Sequence, residues 1–305
     1  MNSHRLQNLF YPESIALIGA SNTPEKLGNY VAKNLIQSNY KGGLYFLNPK
    51  KESICGLDST QKPAEINEHI DLWVIAIPAA LVIPAVIEIV TQMEEINSQK
   101  PTFITVISAG FKEIGIAGQA LETELFLLSK KHNFNIVGPN CLGLINNQQN
   151  TKFKFNASFA VNPKLSGNVS FISQSGAIIS GIVNREEDKG IGFNKIISCG
   201  NQVDLEVADF LEFLIQDPET EVIAIYIEGF QNGLRFIEIA KQSRKPIVVL
   251  KSGDYSSSQK AVSSHTGSIS GNSQVAESYV ENANCILVQN LEEFFDVILL
   301  LSKWH

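Results

Sequence analysis

The chain has 305 residues, 44% of them hydrophobic and 18% charged, so it holds enough apolar surface to offset ordering entropy, which excludes intrinsic disorder. With 24 Lys plus Arg against 31 Asp plus Glu the formal charge is −7, which argues against nucleic acid or an anionic membrane as partner and for a small ligand. At about 100 to 200 residues per domain, two compact domains are expected.

The opening MNSHRLQNLFYPES lacks the apolar run of a signal peptide, so export is not expected. From Ser14 onward, short β-branched runs alternate with longer amphipathic ones. Residues 15–18, 44–47, 72–77, 103–107 and 135–137 read as strands, and 29–37, 81–93 and 117–131 as helices. Residues 72–90 form the one stretch that hydropathy would flag as a span, but Pro78, Pro84 and Glu88 interrupt it, so it reads as a buried strand followed by a helix. Residues 148–167 are polar and without period, which places a linker near 147–166 and divides the chain into 1–147 and 148–305. A second series follows, with strands at 169–172, 195–197, 222–227, 247–250 and 286–288 and helices at 177–188, 206–215, 234–242, 273–282 and 291–301. Both halves are α/β, and right-handed crossovers make each a doubly wound parallel sheet with its ligand at the carboxyl ends of the strands. The Ser- and Gly-rich connection 251–272 is longer than such connections usually are, which points to function.

Directly after the first strand stands GASNTPEKLG, Gly19 to Gly28. Glycines at its ends allow close backbone approach, while Ser21, Asn22 and the amides of the next helix can hold phosphate oxygens; the plain alternative is an ordinary turn. The second strand runs into Asn48, Pro49 and Lys50 where an NAD ribose would want an acid, and Lys50 suits a phosphate-rich nucleotide unless it is simply a solvated lysine. SQSGA, 173–177, joins a strand to a helix start and so forms an anion site from Ser173, Gln174, Ser175 and Gly176. Glu228 follows a strand and precedes Gly229, so it stands at the ligand-facing edge, as a triad-like partner for a histidine or as a solvated acid. His265 lies in the Ser/Gly connection, where a neutral imidazole can act as base or nucleophile or remain merely solvated. His4, His69, His132 and His305 have structural readings, His132 as a cation at a helix end. The cysteines Cys55, Cys141, Cys199 and Cys285 are too dispersed for a zinc site or a disulfide scaffold, which fits a reducing, cytoplasmic setting, and Cys141 reads as a packed thiol. No metal ligand set is expected in this chain.

Taken in order, the blocks IALIGAS, PEKLG, LNPK, VIAIP, ISAGF, VGPNCLGLIN, FISQSGA, SCGN, YIEGF, VVLKSG and SSHTGSISG resemble the NDP-forming acyl-CoA synthetases, whose α subunits are similar to that of succinyl-CoA synthetase. The resemblance runs from about Tyr11 to Leu301. It implies an N-terminal Rossmann-like CoA-binding domain, 1–147, followed by a flavodoxin-like parallel α/β domain, 148–305, that carries a phosphohistidine. It also implies His265 as that phosphohistidine and Glu228 as its orienting carboxylate. Gly19, Ser21, Asn22, Lys26, Gly28, Lys50, Ile77 and Pro78 would be the coenzyme A contacts, and Asn140 would join Ser173 to Gly176 at the phosphate. The reaction implied is reversible conversion of acyl-CoA, NDP and phosphate to carboxylic acid, CoA and NTP.

The resemblance further implies that Mg with ADP/ATP or GDP/GTP enters through an ATP-grasp β subunit or domain; the sequence contains no Walker loop to replace it, which would make the chain one member of a hetero-oligomer, or a fragment, that cannot finish the reaction alone. Two other readings compete. One is a non-catalytic CoA-binding regulatory or scaffolding module of the protein acyltransferase type, against which Glu228 and His265 speak. The other is an NAD dehydrogenase, against which the missing GxGxxG speaks.

Overall fold

The computed structural model describes residues 3–149, 151–252 and 273–304. Residues 253–272 of the connection predicted to be functional, His265 among them, lie outside them. A short helix, α1 (Gln7–Phe10), buries Leu9 and Phe10 before the first sheet begins. That sheet comprises β1 (Ser14–Ile18), β2 (Gly43–Leu47), β3 (Ser59–Thr60), β4 (Leu72–Ile75), β5 (Phe103–Val106) and β6 (Asn135–Val137). All its pairings are parallel, in the order β3-β2-β1-β4-β5-β6. This is the dinucleotide-type order, and its continuous apolar strands are buried because helices cover both faces. The helices α2 (Leu27–Gln37), α3 (Val82–Ile96) and α4 (Ile116–His132) connect the strands. Helices α3 and α4 stop at Asn97 and Asn133, which adopt the left-handed conformation that asparagine tolerates. In the last turn of α4, His132 lies 3.2 Å from Glu94.

The second sheet contains β7 (Gly143–Asn146), β8 (Phe155–Ser158), β9 (Ser166–Ser173), β10 (Phe193–Ser198), β11 (Val222–Ile227), β12 (Ile247–Lys251) and β13 (Ile286–Val288). Its order is β13-β12-β11-β9-β10-β7-β8. Counted from β9, the five parallel strands lie in the order second, first, third, fourth, fifth, which is the flavodoxin-like arrangement. Around them run α5 (Gly176–Val183), α6 (Glu186–Lys189), α7 (Val207–Gln216), α8 (Gly233–Ala240), α9 (Ser273–Asn282) and α10 (Leu291–Lys303).

Two features differ from expectation. The segment read as a linker contains β8, which pairs antiparallel with β7 just before it; the pair extends the second sheet at the β10 edge, so the chain already enters that sheet before residue 147. Its strands hid because their buried side chains include Asn146, Asn156 and Ser158, which hydrogen bonds rather than apolar alternation hold in place. The helix expected at 177–188 is two, α5 and α6, interrupted at Asn184 and Arg185.

The two sheets are joined by packing and by buried polar bonds. The Phe10 ring stacks on Phe213 of α7 at 4.5 Å, and Asn34 of α2 donates to the carbonyls of Ser158 and Ala160 beside β8 at 2.8 and 2.7 Å. Beneath them Lys195 of β10 meets Asp217 at 2.7 Å with both side chains fully buried, and the Tyr11 hydroxyl donates to the same carboxylate at 2.9 Å. Burial opposes ionisation of Asp217, but the charge and hydrogen bond of Lys195, with Thr220 and Tyr11, hold its pKa below the ordinary value.

Candidate active-site cleft

At the carboxyl edge of the first sheet the chain leaves β1 through Gly19, whose φ of +93° is a conformation that glycine adopts freely. A Cβ there would strike the carbonyl of Ala76 and the side chain of Ile77, so the turn is nested against the end of β4. This is the switch point of the sheet, where the chain goes to opposite sides after β1 and β4 and leaves a crevice. The turn is braced from within: the Ser21 hydroxyl accepts from the Thr23 amide at 3.0 Å, and Asn29 donates to the Ser21 carbonyl at 2.7 Å. Asn22 donates to the Ser53 carbonyl at 2.8 Å, while Asn48 donates to the Ala20 carbonyl and accepts from the Lys50 amide, each at 2.8 Å. Lys26 begins α2 without a side-chain cap, and both Lys26 and Lys50 are exposed. Gly19, Ser21, Asn22, Lys26, Gly28, Lys50, Ile77 and Pro78 thus share one rim, at the ends of β1, β2 and β4. Its bare glycine backbone, uncapped helix start and two exposed lysines, of which Lys50 lies 3.7 Å from Glu52, fit the phosphates of a nucleotide-like ligand.

The second sheet has its switch point between β9 and β11, and there a single side chain spans the gap. Gln174 accepts from the amides of Glu228 and Gly229 at 2.6 and 3.1 Å and donates to the Gly229 carbonyl at 2.7 Å. The carboxylate loop is therefore fixed to the turn that starts α5. Ser173 is fully buried, and its hydroxyl donates to the Ser175 carbonyl at 2.8 Å while accepting from the Ser175 amide at 3.1 Å, so it shapes the turn from below. Burial, with the Glu228 charge nearby, pushes the Tyr226 hydroxyl up to about 12.

Between the two edges lies a cleft of about 540 Å³. Asn140, Gln174, Ser175, Gly176 and Glu228 line its polar side, and Leu27, Ile107, Leu142 and Phe159 its apolar side. The residues expected at the phosphate are therefore brought together with the start of α2, apart from Ser173, which lies beneath the turn. His265 lies outside the described residues. Cys141 also lines the cleft but donates to the Val106 carbonyl at 3.3 Å, and burial pushes its thiol up to about 12, so it is a packed thiol rather than a nucleophile. Asn201, which bonds to Asn140, and the apolar residue Phe159 escaped sequence reasoning. The SCGN block contained Asn201, but nothing in charge or period singled it out. Among the described residues no group of three or more His, Cys, Asp or Glu could hold a metal ion, and no helix is long and apolar enough to cross a membrane.

Two doubly wound domains, each with a glycine- and hydroxyl-bearing turn at its switch point and with a cleft between their edges, define a ligand-binding α/β protein. Residues 13–147 match the family model of the CoA binding domain, and residues 166–301 that of the succinyl-CoA ligase like flavodoxin domain. Acetate–CoA ligase (ADP-forming) I of Archaeoglobus fulgidus is 41% identical over 302 residues, which cover 98% of this chain and 42% of that protein. The α subunit of acetate–CoA ligase (ADP-forming) II of Pyrococcus furiosus is 38% identical over 295 residues, 96% of this chain and 62% of that subunit. Among solved structures, the dinucleotide forming acetyl-coenzyme A synthetase 1 of Ca. Korarchaeum cryptofilum, in complex with phosphate and ADP, superposes with a TM-score of 0.88 at 34% identity, over 97% of this chain and 62% of that one. The chain belongs to the family of NDP-forming acyl-CoA synthetases, as the part that joins the CoA binding domain to the flavodoxin-like domain. It spans about two fifths to three fifths of the length of these relatives.

Proposed function

We propose that the chain is the CoA-binding, phosphohistidine-carrying part of an NDP-forming acyl-CoA synthetase, acting in the cytosol with an ATP-grasp subunit or domain that brings the nucleotide and Mg. Residues 1–147 would form the CoA-binding unit and 148–305 the phosphohistidine unit, with β7 crossing into the second sheet. The observation that carries this reading is the convergence of Asn140, the Gln174–Gly176 turn, Glu228 and the start of α2 on one cleft.

Coenzyme A, when bound, supplies the thiol that leaves when phosphate attacks the acyl carbonyl. The amides of the Gly19–Gly28 turn, with Lys26 and Lys50, hold its phosphates. Gln174 fixes the backbone of Glu228, so that this carboxylate can take the N–H of His265 and keep the tautomer whose other nitrogen is the nucleophile. That nitrogen forms a bond to phosphorus as the bond from phosphorus to the acyl oxygen breaks, and the carboxylic acid leaves as its anion. The first amides of α5 and the Asn140 side chain offset charge on the transferring group.

The test is phosphate incorporation from acetyl-CoA and inorganic phosphate by the chain, with and without a purified ATP-grasp polypeptide, followed by acid treatment and site mapping. Acid-labile label should appear at His265, vanish in His265→Ala and fall by about 10² to 10⁴-fold in Glu228→Gln with CoA affinity kept. Label that persists in His265→Ala would overturn the reading in favour of a CoA-binding regulatory role.

A further inference from the structure

Asn201, in the loop after β10, is buried at 4% exposure and makes more connections than any ordinary turn residue needs. Its side-chain amide donates to Glu113 at 2.8 Å and to Glu122 at 2.7 Å, both from the first domain. Its side-chain oxygen accepts from Asn140 at 3.3 Å, on the wall of the cleft. Its backbone is used as well: the amide donates to the Pro139 carbonyl at 2.8 Å, and its carbonyl accepts from Lys112 at 2.6 Å and from Gln231 at 3.4 Å. Gln231 stands three positions beyond Glu228 and also donates to the Gln202 carbonyl at 2.9 Å.

The two carboxylates that receive Asn201 are themselves held in place. Glu113 accepts from the amides of Gly110 and Phe111, and Lys112 lies 3.5 Å from Glu122. Burial opposes the charge on Glu113, but the hydrogen bonds from Asn201 and these amides keep its pKa below the ordinary value. Two carboxylates converging on one amide call for a donor between them. An asparagine there has its orientation dictated: NH₂ toward the acids, oxygen toward Asn140.

We infer that Asn201 is a positioning residue, which clamps the first domain to the cleft and sets Asn140 and the loop after Glu228 in their working places. This rests on the function proposed above. Misplacement of reacting groups by about 1 Å costs roughly 10²-fold, so loss of the clamp should act on turnover. The side-chain bonds of the clamp run to Glu113, Glu122 and Asn140 rather than to the coenzyme rim at Gly19–Gly28, which should keep its affinity.

The test compares Asn201→Ala, Asn201→Asp and the triple variant Asn201→Asp, Glu113→Gln, Glu122→Gln, which reverses both side-chain bonds while preserving their shape. In acetyl-CoA turnover with phosphate, ADP and a purified ATP-grasp polypeptide, the two single variants should lose about 10 to 10²-fold in kcat with KM for acetyl-CoA changed less than about threefold. The triple variant should recover most of kcat. Amide hydrogen exchange at residues 138–142 and 228–232 should rise in the single variants and return in the triple one, and this readout stands whether or not the chain turns over. Wild-type inactivity with the exchange pattern present would sink the proposed reaction and leave the clamp standing. Single variants with wild-type kcat, or a triple variant as impaired and as open to exchange as Asn201→Asp, would overturn the clamp.

Discussion

Gly28 of α2 lies directly against the backbone of Gly19, so close that a Cβ on Gly28 would collide with the Gly19 carbonyl oxygen. The two glycines, nine positions apart, let the helix start and the strand-end turn form one surface. Because the obstacle is backbone rather than a flexible side chain, it cannot swing away.

Gly28→Ala should therefore force α2 off the turn. Overpacking costs about 1 to 3 kcal/mol, seen as a lower thermal midpoint, and calorimetry should show CoA affinity falling further than in Lys50→Ala, which removes only an exposed charge. A Gly28→Ala protein that binds CoA like wild type would show that the turn is not the phosphate cradle.

Gln174 offers a sharper test of the second turn. Gln174→Glu keeps the acceptor for the Glu228 and Gly229 amides but loses the donor to the Gly229 carbonyl, whereas Gln174→Ala loses all three bonds. Leaving such part-buried groups unpaired costs about 1 to 3 kcal/mol each. Phosphorylation rate should fall in the order wild type, Glu, Ala, with CoA affinity constant; equal rates for the three would remove Gln174 from the positioning of Glu228.

The buried Lys195–Asp217 pair predicts a stability effect with a defined acid limb. Since the folded-state pKa of Asp217 is depressed, its contribution is fully present above the unfolded value of about 3.9 and is lost as pH falls through the lower folded value. Lys195→Met leaves Asp217 buried without its cation and should cost about 3 to 5 kcal/mol at neutral pH in denaturant unfolding. In that variant the wild-type loss of stability below about pH 4 should flatten.

Thiol chemistry separates the cysteines. Burial raises Cys199 well above the ordinary thiol range and pushes Cys141 and Cys285 up to about 12. Iodoacetamide at pH 8 should alkylate Cys55 first in the folded protein, and peptide mass mapping should find Cys141 unmodified until unfolding. Rapid loss of the Cys141 thiol in native protein would reopen its reading as a nucleophile.

Much of this architecture was legible before any coordinates. The apolar runs at 15–18, 44–47, 103–107 and 222–227 declared themselves as strands because both faces of these sheets are covered, so that apart from Thr105 their side chains are apolar or aromatic. The turns at Gly19–Gly28 and Ser173–Gly176 were also readable as turns, since a tight strand-to-helix connection leaves glycine and hydroxyl residues in the sequence. β8, FNAS in sequence, was not readable, because its buried Asn156 and Ser158 bond each other, and Asn156 bonds Asn162, so that polar residues stand where apolar alternation would mark a strand.

Sequence by itself determined the order of the elements, the two-sheet plan and the types of residue at each strand end. Only the tertiary structure decided which strand ends meet: that Gln174 reaches the amides of Glu228 and Gly229, that Asn201 joins Glu113 and Glu122 to Asn140, and that β7 belongs to the second sheet. Strand and helix preferences act over a few neighbouring residues and so leave a periodic trace. A hydrogen bond between residues 54 or 79 positions apart leaves none, because its geometry exists only once the sheets have ordered their strands and closed the cleft.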